Sequence, residues 1–122
     1  MNNSRRVFLV DDDDLLRWNL EQELPPRGFE VRGFGTGEDA LDALRTDRPD
    51  VMLLDVRLPG IDGLQVLERM RSDGNDLTVL VISGLSDIGL AVEAMRRGAR
   101  DFITKPYVLD DVAIRIERAL ER

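Results

Sequence analysis

The sequence contains neither cysteine nor histidine. The lack of cysteine excludes disulfide bonds and thiolate metal sites, and the lack of histidine excludes imidazole ligands and histidine-based catalytic triads. Aromatic residues make up only 5% of the chain. No apolar run approaches the ~20 residues that a membrane-spanning helix needs. Any bound metal must therefore be held by oxygen atoms, and we expect no membrane contact.

The 122 residues fit a single domain covering 1–122, with 43% hydrophobic residues for a core and 34% charged residues for the surface. The net charge of −7 opposes binding to a phosphate backbone, so we expect no direct contact with nucleic acid. Near the N-terminus, two arginines precede only four apolar residues and then a run of acids, a pattern that excludes a signal peptide. We therefore expect a cytoplasmic location.

Short apolar runs alternate with segments of helical periodicity along the chain. The predicted strands are 7–10, 30–34, 51–54, 78–82 and 101–104, and the predicted helices are 14–24, 36–44, 64–74, 88–97 and 109–120. Strands that are apolar on both faces need helices on both sides, and parallel crossovers are right-handed. The sequence therefore predicts an α/β fold, a doubly wound (βα)5 parallel sheet of the flavodoxin-like order 2-1-3-4-5.

Polar residues follow four of the predicted strands. Asp11 and Asp12 come after the first strand, Asp55 after the third, Ser83 after the fourth and Lys105 after the fifth. In open α/β sheets, ligands bind beyond the carboxyl ends of the strands, near the switch in strand order. Strands one and three are neighbours in the predicted order, so we expect the three acids to converge.

A cluster of three carboxylates is unfavourable unless something neutralises it. Two carboxylates ~4 Å apart repel by about 4 kcal/mol at an effective dielectric of ~20, and three such pairs approach ~12 kcal/mol. That repulsion is comparable to the stability of a whole domain, so either a proton or a cation must offset it. Oxygen ligands from few protein groups favour Mg²⁺ that retains several waters, with Mn²⁺ as a substitute.

Lys105, Ser83 and Asp55 complete a set of groups suited to phosphoryl transfer. Asp55 supplies a carboxylate nucleophile that needs no general base, because it is already ionised. Lys105 and Ser83 supply an ammonium group and a hydroxyl group for phosphoryl oxygens. Phosphoryl transfer depends chiefly on positioning and charge neutralisation, so the set suffices to form an acyl phosphate on Asp55.

Each of these signals also has an ordinary structural interpretation. An acidic run such as 11–14 is usually a solvated turn or a helix start, and Leu58-Pro59-Gly60 alone is only a turn. Lys105 alone is as readily a surface lysine before a helix. What favours function is that the acids directly follow buried strands and that all the signals occur together.

These motifs together resemble the response-regulator receiver domains of two-component signalling. The resemblance rests on the acidic pair Asp11-Asp12, the run DVRLPG at 55–60, Ser83-Gly84 and Lys105-Pro106, and it extends from about Val7 to Leu120. The segment 88–95 and the pair Arg17-Trp18 are similar to receivers of the sigma-54-activator, or nitrogen-regulation, subfamily.

The resemblance implies a role for each matching residue. Asp55 would be the phosphoacceptor, Asp12 a direct metal ligand, and Asp11 a second acid that acts on the metal partly through water. Arg57 would offer its backbone carbonyl to the metal, and Lys105 would bind the phosphoryl group. Ser83 and Phe102 would be the switch residues, although Phe102 is also compatible with a purely structural, half-buried strand position. The additional acids of the run, Asp13 and Asp14, are given no metal role.

The resemblance also implies a phosphorylation-dependent switch in a phosphorelay. A sensor histidine kinase or a phosphotransfer protein would donate the phosphoryl group, and the surface of helix 4, strand 5 and helix 5 would change to control an output such as transcription. Homodimerisation through that surface is an implied possibility. The domain would phosphorylate and dephosphorylate itself but would not act as a metabolic enzyme.

Three rival functions remain. A haloacid-dehalogenase phosphatase also uses an aspartyl nucleophile and Mg²⁺, but Asp11 to Leu16 lacks that family's Thr or Val after its acids, and the chain has no room for a cap domain. A flavodoxin needs a phosphate-binding loop rich in Ser, Thr and Gly where this chain has four aspartates. A pseudo-receiver that only binds a partner is opposed by the retention of all the chemical groups.

Overall fold

Five parallel strands form one sheet in the order β2-β1-β3-β4-β5, as the sequence predicts. The computed structural model describes residues 4–121. Its strands are β1 (Arg5–Val10), β2 (Phe29–Phe34), β3 (Val51–Asp55), β4 (Thr78–Gly84) and β5 (Asp101–Lys105). Its helices are α1 (Asp14–Glu23), α2 (Gly37–Ala43), α3 (Gly63–Ser72), α4 (Ile88–Arg96) and α5 (Leu109–Ala119).

Two apolar clusters cover the two faces of the sheet. Alternate residues of each central strand point to opposite faces, so Leu53 belongs to one cluster and Leu54 to the other. Helices α1 and α5 contribute buried side chains to the first face, and α2, α3 and α4 contribute to the second. The prediction of a sheet wound on both sides is therefore confirmed.

The strands extend further than their apolar runs indicate. β1 begins at Arg5, since Arg5 and Arg6 pair in register with Phe29 and Glu30 of β2. At the other end of the sheet, Asp55 lies inside β3 and Lys105 inside β5. Backbone pairing requires only an extended chain, so polar residues continue the strands past the apolar core.

The helix ends follow local capping chemistry. Asp13 is the N-cap of α1, where its side chain accepts hydrogen bonds from the amides of Leu15 and Leu16. Asp62 and Gln65 form a reciprocal capping box at the start of α3. Two short 3-10 turns interrupt the connections: Pro25–Arg27 follows α1, and Leu85–Asp87 joins β4 to α4.

Candidate functional site

The polar residues predicted to converge do meet at the carboxyl edge of the sheet. β3 pairs with both β1 and β4, with Asp55 opposite Ile82. β5 then pairs with β4, which places Ser83 opposite Thr104 and Gly84 opposite Lys105. Four neighbouring strands therefore deliver the site residues to one edge.

Three carboxylates form a cluster at this edge. One oxygen atom from each of Asp11, Asp12 and Asp55 lies within 4.8 Å of the other two. Asp11 and Asp55 are buried, with relative exposures of 0% and 5%, whereas Asp12 faces solvent. All the donor atoms are carboxylate oxygens, which is the chemistry that Mg²⁺ and Mn²⁺ prefer.

Lys105 is the sole lysine of the chain, and its ammonium group faces both buried acids. Its Nζ atom donates a 2.7 Å hydrogen bond to Asp55 Oδ2 and lies 3.1 Å from Asp11 Oδ2. Burial opposes the charged form of the lysine, but the hydrogen bond to Asp55 and the charges of Asp11 and Asp55 act more strongly and raise the Lys105 pKa. The ammonium group is therefore firmly protonated.

Asp11 remains incompletely satisfied despite this lysine. Its Oδ1 atom accepts a 2.9 Å hydrogen bond from the Asp13 amide. Its Oδ2 atom has no directed hydrogen bond among the described residues, so the contact with Lys105 is one of charge rather than of aligned donor and acceptor. Burial, reinforced by the charge of Asp55, raises the pKa of Asp11 to about 6. A buried oxygen of this kind is suited to a cation or a metal-bound water.

Both carboxylate oxygens of Asp55 accept hydrogen bonds. Its Oδ1 atom accepts a 2.8 Å hydrogen bond from the Arg57 amide, and its Oδ2 atom accepts the bond from Lys105. The Arg57 backbone therefore lies directly beside the carboxylate, where its carbonyl was predicted to bind metal. The Arg57 side chain points elsewhere and pairs with Asp87 at 2.6 Å.

Ser83 and Phe102 lie on the adjacent strands β4 and β5. Ser83 is fully buried, and its hydroxyl group donates a 2.9 Å hydrogen bond to the Gly84 carbonyl. Phe102 is half-buried and packs against the apolar cluster under α2, α3 and α4. The two residues predicted to act as a switch therefore occupy neighbouring strands, and the serine hydroxyl is directed at its own backbone.

Comparison with known families agrees with this fold. The family model for the response regulator receiver domain matches residues 7–117. The chain belongs to this family. The phosphatase and flavodoxin alternatives are thereby excluded, and receiver domains as a family act as signalling switches rather than as metabolic enzymes.

Three similar proteins place the receiver domain among regulators. The DNA-binding transcriptional regulator NtrC of Klebsiella pneumoniae is 39% identical over 93% of this chain and 24% of its own length. The response regulator MprA of Mycobacterium bovis is 37% identical over 98% of this chain and 52% of its own length. The crystal structure of the NtrX receiver domain from Brucella abortus has a TM-score of 0.88 and is 37% identical over 93% of this chain and 97% of its own.

The resemblance to the nitrogen-regulation subfamily is confirmed, since NtrC and NtrX are among these similar proteins. The receiver domain spans about half or less of the curated relatives' length. None of the helices within residues 4–121 combines the length and apolar character that a bilayer crossing requires.

Arg17 is a part of the receiver site that the sequence analysis did not identify. Its guanidinium group donates 2.7 Å hydrogen bonds to the carbonyl of Asp11 and to the side chain of Asp14. The glycines of the adjacent strand do not signal this contact, because the atom that a Cβ at Gly33 would crowd is Glu21 Oε2, at 2.8 Å. The i, i+3 spacing of Asp14 and Arg17 was the available signal.

The additional acids of the run have separate structural roles. Asp13 caps α1, and Asp14 pairs with Arg17. Contacts within α1 and at its N-terminus therefore already involve both side chains.

Proposed function

We propose that this receiver domain, occupying residues 1–122 as a single unit, is the phosphoacceptor switch of a two-component phosphorelay, with Asp55 as the residue that is phosphorylated. The observation that supports this most strongly is the environment of Asp55: one carboxylate oxygen is bound by Lys105 and the other by the Arg57 amide. Two further acids lie within 4.8 Å. A carboxylate, an ammonium group and two further acids are thus combined at one edge of the sheet, which suits a nucleophile beside a cation and a metal ion.

The acidic cluster fits Mg²⁺, with Mn²⁺ as a substitute. Asp12 and Asp55 would bind the metal directly, Asp11 would act partly through water, and Arg57 would contribute its backbone carbonyl. The buried Asp11 Oδ2, which lacks a directed partner among the described residues, supports this assignment. When bound, the metal supplies positive charge that neutralises the carboxylates and the incoming phosphoryl oxygens.

Asp55 would act as an ionised nucleophile. One carboxylate oxygen attacks the phosphorus of a phosphohistidine on a sensor histidine kinase or a phosphotransfer protein. A P–O bond forms while the P–N bond breaks, and the electron pair stays on the imidazole nitrogen. Lys105 and the Ser83 hydroxyl group then pair with phosphoryl oxygens. Hydrolysis later returns Asp55 when water attacks phosphorus, the acyl P–O bond breaks and inorganic phosphate leaves.

The switch would begin at Ser83. To reach a phosphoryl oxygen, its hydroxyl group must leave the Gly84 carbonyl that it now contacts at 2.9 Å. Phe102 on the adjacent strand would then turn inward, and the surface of α4, β5 and α5 would change. We propose that this surface controls an output, transcription being the natural one because the relative NtrC is a transcriptional regulator.

A protein partner such as the kinase would bind beside the site, because segments next to it carry exposed apolar side chains. These residues are Leu15, Trp18, Leu85 and Val108. We further propose homodimerisation through α4, β5 and α5, no direct nucleic acid contact by this acidic domain, no membrane contact, and a cytoplasmic location.

The decisive experiment is intact-mass measurement after incubation with acetyl phosphate or phosphoramidate and Mg²⁺. The wild type should gain one phosphoryl group, and both Asp55→Asn and a chelator should abolish the gain. Asp76→Asn is the matched control, since Asp76 is exposed at the opposite edge of the sheet and should not affect labelling. Absence of any adduct in the wild type, together with no binding of beryllofluoride, would instead support a pseudo-receiver that only binds a partner.

A further inference from the structure

Asp87 occupies the N-cap position of α4 but does not cap the helix. Aspartate is among the preferred N-cap residues because its carboxylate accepts bonds from the first helical amides. Within the described residues, the Asp87 side chain makes no such bond. Its Oδ1 atom instead accepts two hydrogen bonds from the Arg57 guanidinium group, from Nη2 at 2.6 Å and from Nε at 3.1 Å.

The two partners differ in their freedom to move. The Arg57 side chain is 71% exposed, whereas the Asp87 side chain is only 12% exposed. Arg57 can therefore reorient through solvent, while Asp87 is held within the 3-10 turn Leu85–Asp87 between β4 and α4. If the pair breaks, the arginine is the member that leaves.

Arg57 is also tethered to the phosphorylation site. Its amide donates a 2.8 Å hydrogen bond to Asp55 Oδ1, so its flexible side chain starts beside the carboxylate. A phosphoryl group there adds roughly 1.5 to 2 negative charges and three strong acceptors. Arginine pairs with such groups through two parallel hydrogen bonds, which makes the phosphoryl group a strong competitor for the guanidinium group.

We propose that phosphorylation of Asp55 transfers Arg57 from Asp87 to the phosphoryl group, and that the released Asp87 then caps α4. The exchange rests on the proposed phosphoacceptor function and adds a second route from the site to α4, independent of Ser83 and Phe102. Asp87 would exchange the guanidinium group for the helix amides, which also requires its backbone to move from φ −111°, ψ 17° towards the extended conformation of a capping residue. The cap would also place a negative charge at the positive end of the α4 dipole.

The test is a double-mutant cycle on Arg57→Gln and Asp87→Asn, with beryllofluoride and Mg²⁺ as the phosphoryl analogue. Calorimetry should show about two- to fivefold weaker binding for Arg57→Gln and about two- to fivefold tighter binding for Asp87→Asn, the range expected of a partly exposed ion pair. Asp87→Asn should have no effect in the Arg57→Gln background, because the competition no longer exists. Arg48→Gln removes an exposed ion pair at the opposite sheet edge and should not change the affinity.

Hydrogen exchange of the first amides of α4 provides the second readout. In the wild type, beryllofluoride should increase their protection. Asp87→Asn should protect them without the analogue, because asparagine caps well, and Asp87→Ala should not protect them in either state.

Two negative results have different meanings. If the wild type binds beryllofluoride but the Arg57 and Asp87 variants match its affinity and α4 exchange does not respond, the exchange of partners is wrong and the phosphoacceptor function stands. If the wild type neither binds the analogue nor gains a phosphoryl group from acetyl phosphate, the phosphoacceptor function fails and the exchange fails with it.

Discussion

Asp11 is a fully buried acid in a crowded charged environment. Burial raises its pKa to about 6, so the folded protein keeps a proton on Asp11 at pH values where the unfolded chain has released it. The stability associated with this group therefore falls as the pH rises from about 4 to about 6, and the loss is complete at neutral pH. Asp11 therefore destabilises the metal-free domain most at neutral pH, where the site would function.

Asp11→Asn should consequently stabilise the metal-free domain at neutral pH. A pKa shift from 3.8 to about 6 corresponds to roughly 3 kcal/mol, so we expect a gain of about 1–3 kcal/mol in the free energy of unfolding. Asparagine retains the acceptor for the Asp13 amide while removing the buried charge. Urea unfolding in the presence of a chelator, repeated between acidic and neutral pH, measures the effect, and the gain should disappear near pH 4.

Asp12→Asn is the matched control for this prediction. Asp12 is the neighbouring acid but is exposed, so the same change should shift stability by no more than about 0.5 kcal/mol. If Asp11→Asn were less stable than the wild type at neutral pH, the attraction between Asp11 and Lys105 would outweigh the effect of burial.

At the scale of single residues, sequence reasoning predicted that these polar side chains converge but not the contacts that they make. The convergence of Asp11, Asp55 and Lys105 follows from strand order, which the apolar pattern encodes. Which of two adjacent acids is buried depends on how the chain leaves β1. The pairing of Arg57 with Asp87 joins residues 30 positions apart through two loops, and no local pattern specifies loop conformation.

The loop between β3 and α3 is so tightly packed around Gly63 that it leaves no space for a larger side chain. Gly63 is buried, and its amide donates a 3.0 Å hydrogen bond to the Val56 carbonyl. A Cβ atom at Gly63 would contact the carbonyl oxygen of Asp55 and stand 2.7 Å from Val56 Cα. Because these neighbours are backbone atoms, they can yield only if the end of β3 that carries Asp55 moves.

Gly63→Ala should therefore destabilise the domain by about 1–3 kcal/mol, the usual range for overpacking, and should slow phosphorylation of Asp55 by acetyl phosphate. Gly89→Ala is the control, because Gly89 is exposed in α4 with no atom near its would-be Cβ. That change should be neutral or stabilise by up to about 1 kcal/mol, since alanine favours helix. Equal unfolding midpoints for both variants would show that the loop adapts without cost.

The elements predicted most reliably are those in which a buried face requires apolar residues at a regular spacing in the sequence. The apolar runs of β1, β3 and β4 and the Leu, Val and Ile spacings of the five α-helices indicate these eight elements in the correct order. Polar strand ends and the 3-10 turns were not predicted, because backbone pairing and turn formation leave no apolar signature. Those unpredicted segments include Leu85–Asp87, the turn that the proposed exchange of partners uses.

At the scale of the whole molecule, charge is distributed unevenly between the two edges of the sheet. At the amino edge, acids are matched by arginines: Arg6 binds both oxygens of Asp47 at 2.7 Å and lowers the Asp47 pKa, and Arg48 pairs with Asp76. At the carboxyl edge, Lys105 pairs with two of the three clustered acids, Asp11 and Asp55. The excess negative charge of the domain is therefore concentrated where a cation would bind.

Mg²⁺ should accordingly stabilise the folded domain at neutral pH. A ligand at 100 times its Kd that binds only the folded state adds about 2.7 kcal/mol, and for a domain of this size 1 kcal/mol shifts Tm by about 4 °C. We expect a Tm increase approaching about 10 °C with excess Mg²⁺ over chelator. The increase should shrink as the pH falls below about 6, because protonation of Asp11 removes a carboxylate from the cluster. Thermal unfolding followed by circular dichroism measures both effects.

Two comparisons separate site binding from general screening of the net charge of −7. Sodium chloride at matched ionic strength screens repulsion without occupying the cluster, so it should raise Tm much less than Mg²⁺ does. Asp14→Asn removes an exposed acid of the same run that pairs with Arg17, and it should keep the full Mg²⁺ response, whereas Asp12→Asn should lose most of it. Equal shifts from sodium chloride and Mg²⁺ would mean that the acidic edge attracts cations without binding one, and Asp55 would then lack the charge neutralisation that its phosphorylation requires.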